Sequence, residues 1–269
     1  MPHDPYQRLS SPFSLDGYVV IITGAGGAIG GATAEVLAAA GANVVVSDLN
    51  LETAQAVAEK VAKETGKETL AIKTDVTNEA EQQALVDATL DKFGKITSLI
   101  NNVGWGEYTP LWEVSMDYMM KSYLLNTVSA YSLTKLCLPH LKTQENASVT
   151  FSGSAVGTTP SPEFISYSNA KAALLHMSKS IAAMSGPHVR ANSIVIGSVD
   201  NGEATLKAGY DPEMLRRLAE SFVMKRRGAP YDIAYAFNFL LSPAAAWITG
   251  VQLDVNGGGS YKSKMPTDD

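Results

Sequence analysis

Tyr18-Val-Val-Ile-Ile-Thr23 running straight into Gly24-Ala-Gly-Gly-Ala-Ile-Gly30 is the stretch on which the fold turns. The first six residues are rich in β-branched side chains and suit a strand buried on both faces. Glycines then let the backbone turn sharply and approach a ligand. The helical stretch that follows, through Ala40, offers free N–H groups and a favourable dipole to a phosphate. Strand, turn and helix together form a candidate dinucleotide site. A Gly-rich turn that holds no ligand is the plainer alternative, and the run departs from strict G-x-G-x-x-G spacing because Ile29 occupies the sixth position.

Outward from this unit the pattern repeats. Gly41 caps the first helix, and strands are predicted at Asn43 to Ser47, Leu70 to Thr74, Ile96 to Ile100, Ala147 to Phe151, Val189 to Ile196 and Val251 to Val255. Helices are predicted at Glu52 to Thr65, Glu79 to Phe93, Pro110 to about Lys142, and around Tyr167 as far as Ser185, where Gly186-Pro187 stops it. Strands alternating with helices argue for right-handed βαβ units and a parallel sheet covered on both faces. The expected fold is therefore α/β: a single-domain Rossmann-type doubly wound sheet of about seven strands. Residues 1–16 read as a surface arm, 17–260 as the domain, about 200–223 as a partly helical lid, and 261–269 as a tail.

Composition narrows the function. The chain has 269 residues, 45% hydrophobic and 18% charged, with a net charge of −6 and a pI near 5.3. The one short basic run is Lys225-Arg226-Arg227, so nucleic acid is not an expected partner. A single cysteine, Cys137, excludes an internal disulfide and a Cys-based zinc cluster, and the four histidines form no short-spaced pair, so no metal site is expected. With no signal-peptide pattern and no long uncharged apolar segment, a soluble cytoplasmic protein is expected.

Two further features carry chemistry. Asp48 ends the second strand, where a carboxylate could accept hydrogen bonds from adenosine ribose hydroxyls and repel a 2′-phosphate, favouring NAD over NADP. No Lys or Arg lies in the Gly-rich turn or beside Asp48. Tyr167 and Lys171 stand four residues apart on a predicted helix, on one face. A free phenol is a poor base at neutral pH, but a nearby cation favours the phenolate, and such a pair can move a proton to or from an alcohol oxygen. The same spacing also suits a solvated helix face.

Thr23-Gly24-Ala25-Gly26-Gly27-Ala28-Ile29-Gly30, Asp75, Asn101-Asn102-Val103-Gly104, Asn126, Ser154 and Tyr167-x-x-x-Lys171 resemble, in order and spacing, the short-chain dehydrogenase/reductase family over about residues 15 to 260. Within it the chain looks most like bacterial hydroxysteroid-dehydrogenase-type members. The resemblance implies that Tyr167 is the acid/base, that Lys171 lowers its pKa and holds the nicotinamide ribose, that Ser154 bonds the substrate oxygen, and that Asn126 fixes a water in a proton path. It implies cofactor contacts from Gly24, Gly26, Ile29, Gly30, Asp48, Asp75, Val76, Asn102, Gly104, Val199 and Asn201, with Asp75 on the adenine amino group. A helix N-cap role for Asp75 or Thr77 is equally natural. Ala28 adds a methyl where the family has glycine.

By analogy Trp105, Glu107, Tyr108, Val156 and Phe164 line the substrate pocket and suit a cyclic or aromatic alcohol. The expected activity is NAD(H)-dependent interconversion of a secondary alcohol and a ketone. The alternatives are an NADPH-dependent reductase of an acyl or diketone substrate and a catalytically idle NAD-binding protein. A homo-oligomer, with a tetramer favoured, is expected from the apolar helix near 113–138.

Overall fold

All five residues of the first strand, β1 (Val19–Thr23), are buried, because layers of helix cover both faces of the sheet it centres. The computed structural model describes residues 11–202 and 211–259. Its strands are β1, β2 (Asn43–Asp48), β3 (Thr69–Lys73), β4 (Ser98–Asn101), β5 (Ser148–Ser154), β6 (Arg190–Ile196) and β7 (Gln252–Val255). They form one seven-stranded sheet in the order β3-β2-β1-β4-β5-β6-β7, every pairing parallel. The order reverses between β1 and β4, which opens a crevice at the carboxyl ends of those strands.

The helices are α1 (Ala28–Ala39), α2 (Leu51–Thr65), α3 (Glu79–Phe93), α4 (Met116–Tyr123), α5 (Ser129–Leu141), α6 (Ile165–Ser185), α7 (Pro212–Ser221) and α8 (Pro230–Leu241). Two apolar clusters fill the two sides of the sheet. One joins Val20 and Ile22 to Leu37, Val61, Phe237 and Leu240; the other joins Ile21 to Leu85, Leu133, Phe151 and Leu174. Alternate residues of β1 thus feed opposite layers.

Three expectations change. The helix expected from Pro110 to Lys142 is interrupted. Ser115 caps α4 by accepting from the Tyr118 N–H, and a π-helical turn at Leu124–Val128 separates α4 from α5. The apolar period runs through both, so sequence pattern hides the break. Neither Asp75 nor Thr77 caps α3; Asn78 does, accepting from Ala80 N. In the segment read as an arm, Leu15 is fully buried and its N–H donates to the Ala40 carbonyl at 2.8 Å. An apolar side chain close to β1 is drawn into the core beneath α1. Residues 1–10 and 260–269, with all of the tail, lie outside the described residues. So do 203–210 of the expected lid, while α7 accounts for its helical part.

Candidate active site

The Gly-rich turn forms the floor of a cleft of about 670 Å³ at the reversal point of the sheet. Gly24 has φ +62°, a conformation that favours glycine, and Ala25 N bonds the Ser47 carbonyl at 3.0 Å, tying the turn to β2. A Cβ at Gly30 would stand 2.6 Å from Ala25 Cα, so only glycine lets α1 start this close to the turn. The first turn of α1 carries no acidic residue, and Gly27 at its N-cap supplies no side-chain hydrogen bond. Such a helix start presents N–H groups to an anion. Ala28 lines the cleft with its methyl exposed, the one addition to an otherwise bare floor.

Asp48 closes one end. Its carboxylate accepts from Gly26 N at 2.9 Å and from Asn50 N at 3.0 Å, so turn and acid are fixed to one another. Sheet register pairs the backbone of Lys73 on β3 with that of Asp48 on β2, two residues far apart in sequence. Asp75 Oδ1 accepts from the Thr77 hydroxyl at 2.7 Å and from Thr77 N at 2.9 Å. The hydroxyl bond, with the amide bond behind it, holds its carboxyl below the usual range. Asp75, Val76 and Asn102 all line the cleft together with Gly24, Gly26, Ile29, Gly30, Gly104 and Asn201. The cleft therefore has the volume, the bare helix start and the fixed carboxylates that a dinucleotide requires.

Asn102 connects this floor to the catalytic candidates. Its Nδ2 donates to the carbonyls of Thr23 at 3.1 Å and Gly24 at 3.3 Å, and its Oδ1 accepts from the Ser152 hydroxyl at 2.9 Å. The Ser152 carbonyl in turn accepts from Lys171 Nζ at 2.8 Å. Ser152 was not singled out from the sequence, although it lies two residues before Ser154 and so on the same face of a strand.

Ser154 ends β5 beside Tyr167 at the start of α6. Burial pushes the Tyr167 pKa up, and the Ser154 hydroxyl opposes that rise. Lys171, 1% exposed, is driven down to about 7 by burial. Its ammonium nitrogen lies 5.7 Å from the centre of the Tyr167 ring and bonds carbonyls. In the chain by itself the rise of the phenol comes from burial, and Ser154 is the group that opposes it.

Asn126 sits in the π-helical turn. Its Oδ1 accepts from Trp105 N at 2.9 Å, and its Nδ2 donates to the carbonyls of Trp105 at 2.8 Å and Ser122 at 2.9 Å. Single π turns recur where helices serve a site. Gly104 runs between Asn126 and Lys171: a Cβ there would meet Lys171 Nζ at 2.7 Å and Asn126 Oδ1 at 3.3 Å. Asn126, Ser154, Tyr167 and Lys171 are therefore gathered around the carboxyl ends of β4 and β5.

The candidate substrate residues lie on the loop after β4, the turn after β5 and the residue before α6. Trp105 lines the large cleft, its indole 5.6 Å from the Tyr118 ring and beneath Lys121 Nζ at 5.1 Å. Phe164 meets Tyr108 edge-on at 6.4 Å. Val156 lies in the short 3-10 turn after Ser154, and Glu107 is exposed. Asn126 holds the Trp105 backbone, and the rings fall into two pairs, Trp105 with Tyr118 and Tyr108 with Phe164. Val199 lies at a neighbouring cavity of about 370 Å³, two residues before Asn201. Among the described residues no group of three or more metal-ligating side chains occurs, and no helix is long and apolar enough to cross a membrane.

Comparison with known proteins agrees with this geometry. A family profile described as enoyl-(acyl carrier protein) reductase matches residues 24–260. The 7α-hydroxysteroid dehydrogenase of Escherichia coli is 35% identical over 251 residues, covering 93% of this chain and 97% of that protein. A 2,5-dichloro-2,5-cyclohexadiene-1,4-diol dehydrogenase of Sphingobium indicum is 33% identical over 247 residues, covering 91% and 97%. Among solved structures, a 7α-hydroxysteroid dehydrogenase complexed with NADH and 7-oxo glycochenodeoxycholic acid superposes with TM-score 0.88 at 35% identity, covering 93% of this chain and 97% of that one. An NAD+-bound xylitol dehydrogenase does so with TM-score 0.84 at 29% identity, covering 90% and 99%. With the parallel sheet, the Gly-rich cleft and these relatives in hand, the chain belongs to the short-chain dehydrogenase/reductase family.

Proposed function

We propose that the protein is an NAD(H)-dependent dehydrogenase that interconverts a cyclic secondary alcohol and its ketone. The observation that carries this is the Ser154 hydroxyl acting on a half-buried Tyr167 phenol, with Lys171 one helical turn on and the dinucleotide cleft beside them. The nicotinamide supplies or accepts the hydride. Gly24, Gly26, Ile29 and Gly30 would cradle the pyrophosphate, Asp48 the adenosine ribose, Asp75 and Val76 the adenine, with Asn102, Gly104, Lys171, Val199 and Asn201 toward the other end.

Tyr167 exchanges the proton with the substrate oxygen, and Ser154 donates to that oxygen as charge develops on it. With its pKa raised, the phenol is a proton donor at neutral pH, the form that reduction needs. Lys171, near 7, is poised to carry the proton onward, and Asn126 fixes the loop wall beside its ammonium. Oxidation needs the phenolate, which an added positive charge beside the ring favours.

The relatives that act on a hydroxysteroid and on a cyclohexadiene diol support a ring-bearing substrate. A second reading, reduction with NADPH, draws support from Lys73 at the strand register of Asp48, since its side chain, if it reached the ribose, could meet a 2′-phosphate. The bond from Gly26 N to Asp48 favours NAD, because it keeps the carboxylate at the ribose position.

We also infer assembly into a homo-oligomer, with a tetramer favoured. Met116, Met120, Leu124, Val128 and Tyr131 form an exposed apolar stripe along α4, the π turn and α5, Met116 being 84% exposed.

The test is NADH formation from a panel of steroid, cyclic and aromatic secondary alcohols, repeated with NADP. Turnover with one class supports the reading and names the pocket. Tyr167→Phe should cut that turnover by about two to four orders of magnitude. Survival within tenfold would overturn the assignment of Tyr167.

A further inference from the structure

Arg227 closes the segment that follows α7, and its guanidinium reaches back to three consecutive residues after β6. Nε donates to the Ser198 hydroxyl at 3.0 Å, Nη2 to the Val199 carbonyl at 2.5 Å, and Nη1 lies 3.4 Å from Asp200 Oδ1. The two backbones run side by side: Gly228 N donates to Ser198 O at 2.9 Å and Asp200 N to Gly228 O at 2.8 Å. The Arg227 side chain is 12% exposed, against 54% for Arg226, whose partner Asp232 faces water. A guanidinium withdrawn from water needs its donors met, and a planar fork that meets them fixes both side chain and backbone of what it grips.

The segment it grips runs from a neighbouring cavity, lined by Ser198 and Val199, to the cleft. Asn201, the next residue, lines it, and Gly197 on the other side is anchored by its N–H to Val255 O at 3.2 Å. Val199 is buried, and its N–H finds no acceptor among the described residues. A buried backbone donor is seldom left that way, and here it is available to a ligand's carbonyl oxygen.

Resting on the reading of the cleft as a dinucleotide site, we propose that Arg227 is a positioning residue that holds Ser198, Val199 and Asp200 in the conformation that receives the nicotinamide end of the cofactor. Its grip on the Val199 carbonyl sets the direction of the adjoining peptide N–H groups. Without it the tripeptide samples other arrangements, and apparent affinity falls by the fraction of time the receiving one is lost. The adenosine half is held elsewhere, by Asp48, Asp75 and the Gly-rich turn, and is indifferent to Arg227.

The experiment is calorimetric titration of NADH and of ADP-ribose, which lacks the nicotinamide, into wild type, Arg227→Leu, Arg227→Lys and Ser198→Ala. Arg227→Leu should weaken NADH about tenfold or more while leaving ADP-ribose within about twofold. Arg227→Lys should fall between wild type and Arg227→Leu. Ser198→Ala deletes a single acceptor, should shift NADH in the same direction by less, and keeps the test available if Arg227→Leu does not fold. Equal weakening of both ligands, or unchanged NADH affinity in Arg227→Leu, overturns the proposal alone. Wild type that binds neither ligand overturns the dinucleotide reading together with it.

Discussion

Gly106 lies flat against Tyr167: a methyl at Gly106 would stand 2.5 Å from Cγ of the ring. The loop after β4 is therefore the wall that sets where the phenol sits. Asn126 holds that loop through both backbone groups of Trp105, one residue earlier. Thr109 fastens its far end, donating from its N–H to Glu163 O at 3.0 Å.

Gly106→Ala should consequently push the ring rather than the loop, because the loop is pinned on both sides. Overpacking of this kind costs about 1–3 kcal/mol. Expressed in the chemical step, that is a fall of about tenfold to a hundredfold in kcat, with NADH affinity little changed. Steady-state kinetics with direct NADH titration checks it, and a loss confined to NADH affinity would contradict the placement.

Lys171 gives a stability signature in the absence of cofactor. Burial lowers its pKa from the ordinary 10.5 to about 7. Below about pH 7 it is protonated folded and unfolded, and the full penalty of the buried charge is present. Between about 7 and 10.5 the unfolded chain binds the extra proton, so stability rises with pH by up to about 1.4 kcal/mol per unit. Lys171→Met lacks this slope. Thermal unfolding of the two proteins from pH 6 to 9 should show the mutant more stable at the acid end and wild type catching up above 7. Parallel curves would mean that the ammonium is not desolvated.

Asp48→Ala should narrow the preference for NAD over NADP by about tenfold, since it removes the carboxylate that repels a 2′-phosphate. The ratio of kcat/KM values for the two cofactors reports it. An unchanged ratio would show that Asp48 does not select the cofactor.

Met120→Glu places a carboxylate in the middle of the exposed stripe on α4 and α5. If copies bury that stripe against one another, light scattering should show a smaller assembly than wild type, because an unpaired charge in an apolar interface costs several kcal/mol. Identical masses would exclude this face as the contact.

Much of the frame is local and was legible. Val19–Thr23 are β-branched or apolar at every position, and glycines follow where α1 begins, so strand, turn and helix are written in consecutive residues. Tyr167 and Lys171 are one helical turn apart and could be paired from spacing alone. The long helix was misread because its apolar period continues through the break. A π turn is an extra residue in a hydrogen-bonding ladder and leaves no mark in hydropathy. Trp105, Tyr108 and Phe164 share a chemistry, but which rings meet is set by the fold: Trp105 packs on Tyr118, and Tyr108 on Phe164.

By itself the sequence determined the alternation of strands and helices, the Gly-rich turn and the identity of the reactive groups, because these depend on neighbours within a few residues. Only the tertiary structure decided what stands next to what across the sheet. Lys73 comes to Asp48 by strand register, Ser152 links Asn102 to Lys171, and Arg227 grips Ser198 to Asp200 from the far side of α7. It decided the protonation of the site as well. The lysine and the phenol are shifted chiefly by loss of water, and desolvation is a property of the packed chain rather than of any stretch of it.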